Sequence, residues 1–66
     1  MNYLLRALIA KLEGEIEVAI ANITVYEKNP AGIGEHPDVV EAVETQIEKI
    51  AQADEKIANI EKFFSK

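Results

Sequence analysis

Apolar residues recur through the first part of the chain in alternating steps of four and three, and the same steps recur in the second part. This spacing is typical of the positions at which one α-helix packs against another. The pattern therefore predicts two packing seams, which we call the inner seams. They consist of Leu5, Ile9, Leu12, Ile16, Ala19, Ile23 and Tyr26 in the first part, and of Val39, Val43, Gln46, Ile50, Ala53, Ile57, Ile60 and Phe64 in the second.

A strong break separates the two patterns. Both prolines and two of the three glycines fall within residues 29–37. Pro30 disfavours helix at the residue before it, whereas Pro37 suits the first turn of a helix. We therefore predict one all-α domain, an antiparallel helical hairpin with helices over about 2–28 and 37–64 and a loop over 29–37, because a short connection makes neighbouring helices antiparallel.

Folding the two inner seams together places small residues opposite large ones. Ala19 then faces Ile50, and Ala53 faces Ile16, which is how packed layers interdigitate. The polar Gln46 is interpreted as a buried amide that fixes the register of the two helices. The alternative is that the seam frays towards the loop and Gln46 meets water.

The first helix carries a further row of apolar and small residues, which we call the second seam. Glycine in a helix interior costs about 1 kcal/mol relative to alanine, so Gly14 indicates the close approach of another backbone. A helix in a four-helix bundle touches two neighbours at roughly right angles, and we expect the second seam to make the second contact. The predicted dimer interface is Leu4, Ala7, Lys11, Gly14, Val18, Ala21 and Val25.

The second seam is centred near Gly14, which suits a symmetric antiparallel contact with another copy. Leu4 then meets the partner's Val25, and Ala7 meets the partner's Ala21. Acidic residues are concentrated towards the loop, so this orientation also keeps the two acidic ends apart. We predict an antiparallel homodimer forming a four-helix bundle, with the first helices central and the second helices outside.

Length and composition favour the same conclusion. A chain of 66 residues has a small core that rarely supplies more than about 3–5 kcal/mol. The absence of cysteine excludes disulfides and thiolate metal sites, and the single histidine is too few for an ordinary zinc site. We expect no cofactor, and self-association is the remaining source of stability.

The balance of charge weighs against nucleic-acid binding and indicates a protein partner. Twelve acidic and seven basic residues give a net charge of −5, and the basic residues do not form the stripe that phosphate binding needs. An acidic surface on the second helix and loop would favour a basic protein partner. The candidate partner surface is Ile33, Glu35, His36, Glu41, Glu44 and Glu48.

Two other function classes remain as alternatives. One is a peripheral membrane protein that uses the apolar first helix, although such helices usually have a strongly basic face. The other is a carboxylate metal-binding bundle, although the chain lacks the Glu-x-x-His motif of di-metal bundles.

We expect no enzymatic activity, because no nucleophile, base and electrophile converge. The chain has no apolar run near the roughly 20 residues of a membrane span and no signal-peptide pattern, so we expect a cytoplasmic protein.

The stretch NPAGIGEHPD at residues 29–38, continuing as VVEAVETQIEKIAQADEKIANIEKFF, resembles small proteins of unknown function encoded by large tailed phages of marine bacteria. This resemblance covers about the second half of the chain and assigns no functional residue. It implies a phage-encoded protein acting in the bacterial host cytoplasm. The predicted architecture is also similar to that of the small RNA-binding hairpin dimer that controls plasmid copy number, but a shared fold does not carry function.

Overall fold

The computed structural model describes residues 2–29 and 39–65, which form two long α-helices. Helix α1 spans Tyr3–Lys28 and helix α2 spans Val39–Phe64. The early residues of α1 pack on the late residues of α2, so the helices run antiparallel and form a rod of 48 × 15 × 13 Å. The predicted all-helical hairpin is therefore confirmed, while most of the predicted loop lies outside the described residues.

Asparagine caps both ends of α1. The side-chain Oδ1 of Asn2 accepts a hydrogen bond from the backbone N–H of Leu5 at 2.9 Å, which satisfies one of the amides that a helix start leaves unpaired. At the other end, the backbone N–H of Asn29 donates to the carbonyl of Val25 at 2.8 Å. Lys28 in the last turn complements the negative end of the helix dipole.

The inner seams form the core, as predicted. Leu12, Ala53 and Ile60 make up the buried cluster, and Leu12 is the largest side chain that is fully buried. Half-buried apolar side chains pack against this cluster from both helices; they are Leu5, Ile9, Ile16 and Ile57. All seven inner-seam residues of α1 are buried or half-buried, so the heptad pattern identified the packing face of α1 without a miss.

One inner-seam prediction is wrong. Phe64 was expected to lie on the packed inner seam of α2, but 57% of its surface is exposed. The reason is its position as the last residue of α2, where no further turn of that helix follows to cover its ring.

Gln46 is a buried amide and has a hydrogen-bonding partner. It is 6% exposed, and its Oε1 accepts a hydrogen bond from Nδ2 of Asn22 at 3.1 Å. Within residues 2–29 and 39–65, no buried side-chain nitrogen or oxygen lacks a partner. The interpretation of Gln46 as a buried amide is therefore confirmed, and the alternative of a frayed, wet seam is wrong.

Candidate interaction surfaces

The second seam lies on the surface of the hairpin. Its three large members, Leu4, Val18 and Val25, are 64%, 61% and 53% exposed. The four remaining members, Ala7, Lys11, Gly14 and Ala21, are exposed as well. Helix α2 thus leaves this row of apolar and small side chains uncovered along the length of α1.

The direction of the second seam differs from the right angle expected from the sequence. At about 100° of rotation per residue, its mean direction lies about 150° around α1 from the inner seam. It therefore faces away from α2, in agreement with the exposure of Leu4 and Val18. A neighbour on this face would extend the hairpin sideways into a layer, with α1 at the centre, rather than close a square bundle.

Gly14 is not required by the packing of the hairpin itself. A Cβ atom built on Gly14 would meet nothing within 4 Å outside the local helix backbone. Nothing in the hairpin thus offsets the cost of a glycine inside α1, which is about 1 kcal/mol relative to alanine.

A groove of about 590 Å³ runs between the two helices along one flank. Its floor is formed by Ala19 and Ala53, which are almost completely buried. The side chains that line it are Lys11, Gly14, Glu15, Val18 and Ala19 from α1, and Gln46, Lys49, Gln52, Ala53 and Lys56 from α2. Three members, Lys11, Gly14 and Val18, also belong to the second seam, so the two surfaces adjoin.

The groove is locally basic in an acidic chain. Three lysines and one glutamate line it. Lys11 donates a hydrogen bond to the carboxylate of Glu15 one turn later. This bond lowers the pKa of Glu15, and the positive charges of Lys11 and Lys56 act in the same direction. Glu15 and Lys56 thus line the same groove, and Lys49 adds a further positive charge.

The opposite flank of the hairpin is acidic, and we call it the acidic flank. Helix geometry places there every seventh residue of each helix, counted from Arg6 in α1 and from Val40 in α2. These residues are all exposed, and they are Arg6, Glu13, Ile20, Glu27, Val40, Ile47, Asp54 and Glu61. Four acids and one base thus lie on the side away from the groove, with Ile20 and Ile47 among them.

The candidate partner surface predicted from the sequence is described only in part. Glu41, Glu44 and Glu48 lie exposed on α2, as predicted. Ile33, Glu35 and His36 lie outside the described residues. Across residues 2–29 and 39–65, no group of three or more histidine, cysteine or carboxylate side chains is arranged to hold a metal ion.

Large apolar side chains also gather at the open end of the hairpin, where α1 begins and α2 ends. Tyr3 is 72% exposed, Phe63 is 62% exposed, and Leu4 and Phe64 lie beside them in sequence. Neither α1 nor α2 combines the length and the apolar composition that crossing a lipid bilayer requires. The open end is thus an apolar tip of the rod, in addition to the exposed second seam along α1.

Sequence reasoning missed two of these features. It did not identify Asn22 as the partner of Gln46, because Asn22 lies beside the inner seam rather than on it. It also did not identify the basic groove, although Lys49 and Lys56 are seven residues apart and thus share one face of α2. No protein-family model, curated protein or solved structure shows a significant match to this chain.

Proposed function

We propose that this protein is a non-enzymatic interaction module, which self-associates through the second seam and presents an acidic surface to a basic protein partner. The observation that carries the proposal is the unpartnered apolar face of α1. Leu4, Val18 and Val25 stand more than half exposed around a glycine that the hairpin does not need. In keeping with the resemblance noted above, we place it in the cytoplasm of a phage-infected bacterium.

An antiparallel homodimer suits this face better than a parallel one. The second seam is nearly symmetric about Gly14, so a two-fold axis there sets Leu4 against the partner's Val25. Two α1 helices can approach closely where Ala7, Gly14 and Ala21 recur every seven residues. Burying the side chain of a residue such as Leu4 or Val18 stabilises an assembly by about 1.5–3 kcal/mol, which is substantial for a hairpin with so small a core.

Solution mass tests the dimer most directly. At about 1 M salt, where charged contacts are screened within roughly 3 Å, we expect light scattering to give the mass of two chains over a tenfold concentration range, with helicity unchanged. Gly14→Leu should shift that mass towards one chain, because the larger side chain blocks close approach. Glu48→Ala, on the exposed face of α2, is the matched control and should leave the mass unchanged. A helical wild-type protein with the mass of one chain would rule the dimer out.

Disulfide trapping tests its orientation, and the absence of native cysteine makes the result simple to interpret. A Leu4→Cys chain mixed with a Val25→Cys chain should form a mixed disulfide, because a disulfide needs Cα atoms about 4.4–6.8 Å apart. Each variant alone should stay reduced in an antiparallel dimer. If each variant instead cross-linked to itself and the mixture gave no mixed product, the dimer would be parallel.

The acidic surface of α2 is the part of the proposal that involves another protein. Glu41, Glu44 and Glu48 lie exposed on α2, and a positively charged partner surface would complement them. We expect Glu41→Lys/Glu48→Lys to abolish capture of a basic partner from host lysate while leaving solution mass unchanged. A captured protein that both forms retain equally would speak against this surface.

The apolar tip supports a second candidate function, docking on a membrane surface. Tyr3, Leu4, Phe63 and Phe64 are each more than half exposed, and Arg6 and Lys62 lie close to them in sequence. Aromatic side chains beside basic ones favour the interfacial region of a bilayer. Co-sedimentation with anionic vesicles, lost in Phe63→Ser/Phe64→Ser, would favour this candidate over the protein partner.

A further inference from the structure

We propose that the basic groove of one hairpin binds the acidic flank of another copy, so that copies stack flank against flank into open assemblies. This contact adjoins the proposed dimer interface, which shares Lys11, Gly14 and Val18 with the groove, and it differs from that interface in using Lys49 and Lys56 of α2. It goes beyond that proposal because it makes the dimer the unit of a larger assembly. The argument rests on the charge, the spacing and the apolar content of the two flanks.

The groove is positive and has a floor of small apolar residues. Lys49 and Lys56 stand on its α2 wall and Lys11 on its α1 wall. Glu15 is already engaged by Lys11, so the two lysines of α2 are available to carboxylates from outside. Between these walls, Gly14, Ala19 and Ala53 keep the groove open enough for side chains of a neighbour to reach it.

A symmetric pairing of two grooves would be unfavourable. If two grooves faced each other across a two-fold axis, Lys49 and Lys56 of each copy would be enclosed with the same lysines of the other copy. Enclosing like charges without partners is unfavourable, because each ion loses its hydration and repels its neighbour. The groove therefore suits a surface that carries acids, and the same chain has one on its opposite flank.

The spacing of charges on the two flanks matches. Lys49 and Lys56 are seven residues apart on the groove side of α2, and Asp54 and Glu61 are seven residues apart on its acidic flank. Each pair spans roughly 10 Å along its helix. Two α2 helices lying parallel can therefore set both lysines of one copy beside both acids of the next.

The arrangement requires the neighbour to slide along the hairpin axis by five residues, or about 7.5 Å, so that its Asp54 and Glu61 lie level with Lys49 and Lys56. The acidic flank that then covers the groove also carries apolar side chains. The acidic flank leaves Ile20 46% exposed and Ile47 51% exposed. Covering them gives the contact a hydrophobic part in addition to its ion pairs.

The contact does not close on itself. Each copy offers its groove to one neighbour and its acidic flank to another, and such head-to-tail contacts generate open assemblies unless a rotation closes a ring. The net charge of −5 opposes assembly at long range. At about 0.1 M salt, however, charges are screened beyond roughly 10 Å, whereas the paired groups are in contact.

Charge reversal tests the stacking. At about 0.1 M salt, we expect sedimentation to show species larger than the dimer, and these should be lost near 1 M, where screening acts within roughly 3 Å. Lys49→Glu/Lys56→Glu alone, and Asp54→Lys/Glu61→Lys alone, should remain dimers. Mixing the two variants should restore the large species, because each reversed surface then finds an opposite one.

Controls separate this inference from the proposed dimer. Glu48→Lys/Glu55→Lys changes the net charge as much as Asp54→Lys/Glu61→Lys but lies on the outer face of α2, so it should keep the large species. A wild-type protein that stays dimeric at about 0.1 M salt, or a mixture that fails to restore the large species, would overturn the stacking and leave the dimer standing. Ala21→Leu overpacks the second seam outside the groove, and salt-sensitive stacks that persist in this variant would support the stacking even where the dimer is lost.

Discussion

Asn22 on α1 donates its side-chain amide to Gln46 on α2 across 3.1 Å, at a point where Gln46 is almost completely buried. This is a polar bond between the two helices at the edge of an apolar seam. Sliding one helix past the other by a turn would leave the Gln46 oxygen buried without a donor. The pair therefore specifies the register of the hairpin more than it adds to its stability.

Removing one partner of this pair should lower the free energy of unfolding more than removing both partners. We expect Asn22→Ala to lower the free energy of unfolding by about 1–3 kcal/mol, because it leaves a buried acceptor unsatisfied. Asn22→Ala/Gln46→Leu should recover most of that loss, since two apolar groups need no hydrogen bond. Urea denaturation at a fixed protein concentration measures both, and equal losses in the two variants would contradict this role.

The sign of the stability change caused by Gly14→Ala distinguishes a free hairpin from a packed dimer. In an isolated hairpin the added methyl group meets open space, so the variant should gain about 1 kcal/mol from helix propensity. In the proposed dimer, the same methyl group should push the two α1 helices apart and lower the melting temperature. The control is Asn59→Ala at an exposed site on α2, because it raises helix propensity at a position outside the proposed dimer contact.

Leu12 and Phe64 both lie on the predicted inner seams, yet they should respond differently to truncation. Leu12 is 2% exposed and Phe64 is 57% exposed. We expect Leu12→Ala to lower the free energy of unfolding by about 2–5 kcal/mol, whereas Phe64→Ala should lower it by about 1 kcal/mol or less. Similar losses of unfolding free energy would mean that Phe64 is covered in solution, for example by a neighbouring copy.

The pKa of the Glu15 carboxyl group should depend on the lysines that line the groove. The hydrogen bond from Lys11 lowers its pKa, and the charge of Lys56 adds to this. Lys11→Met should therefore raise the pKa of Glu15 in an NMR titration, and Lys56→Met should raise it less. Since the folded pKa is depressed, any stability from this pairing is present above the unfolded pKa and is lost as the pH falls through the folded value.

The sequence predicted the elements of the hairpin well because each depends on local or periodic information. The break between the helices follows from the prolines, and the packing face follows from apolar spacing, whereas the Asn2 cap was seen only in the structure. Phe64 shows the limit of this reasoning, because a periodic pattern does not say where coverage by the other helix ends. The charge difference between the flanks depends on both helices at once, so it emerged only when Lys11, Lys49 and Lys56 were seen to line one groove.

The antiparallel pairing of α1 and α2 also determines the order in which the chain can close. Asn22 and Gln46 are joined by a short stretch of chain, whereas Leu5 and Ile60 are joined by almost all of it, and longer loops cost more entropy to close. Pairing should therefore start near the connection and advance towards the termini. The start of α1 leaves the ribosome before the end of α2, so its exposed apolar residues can find their partners only after α2 has been synthesised.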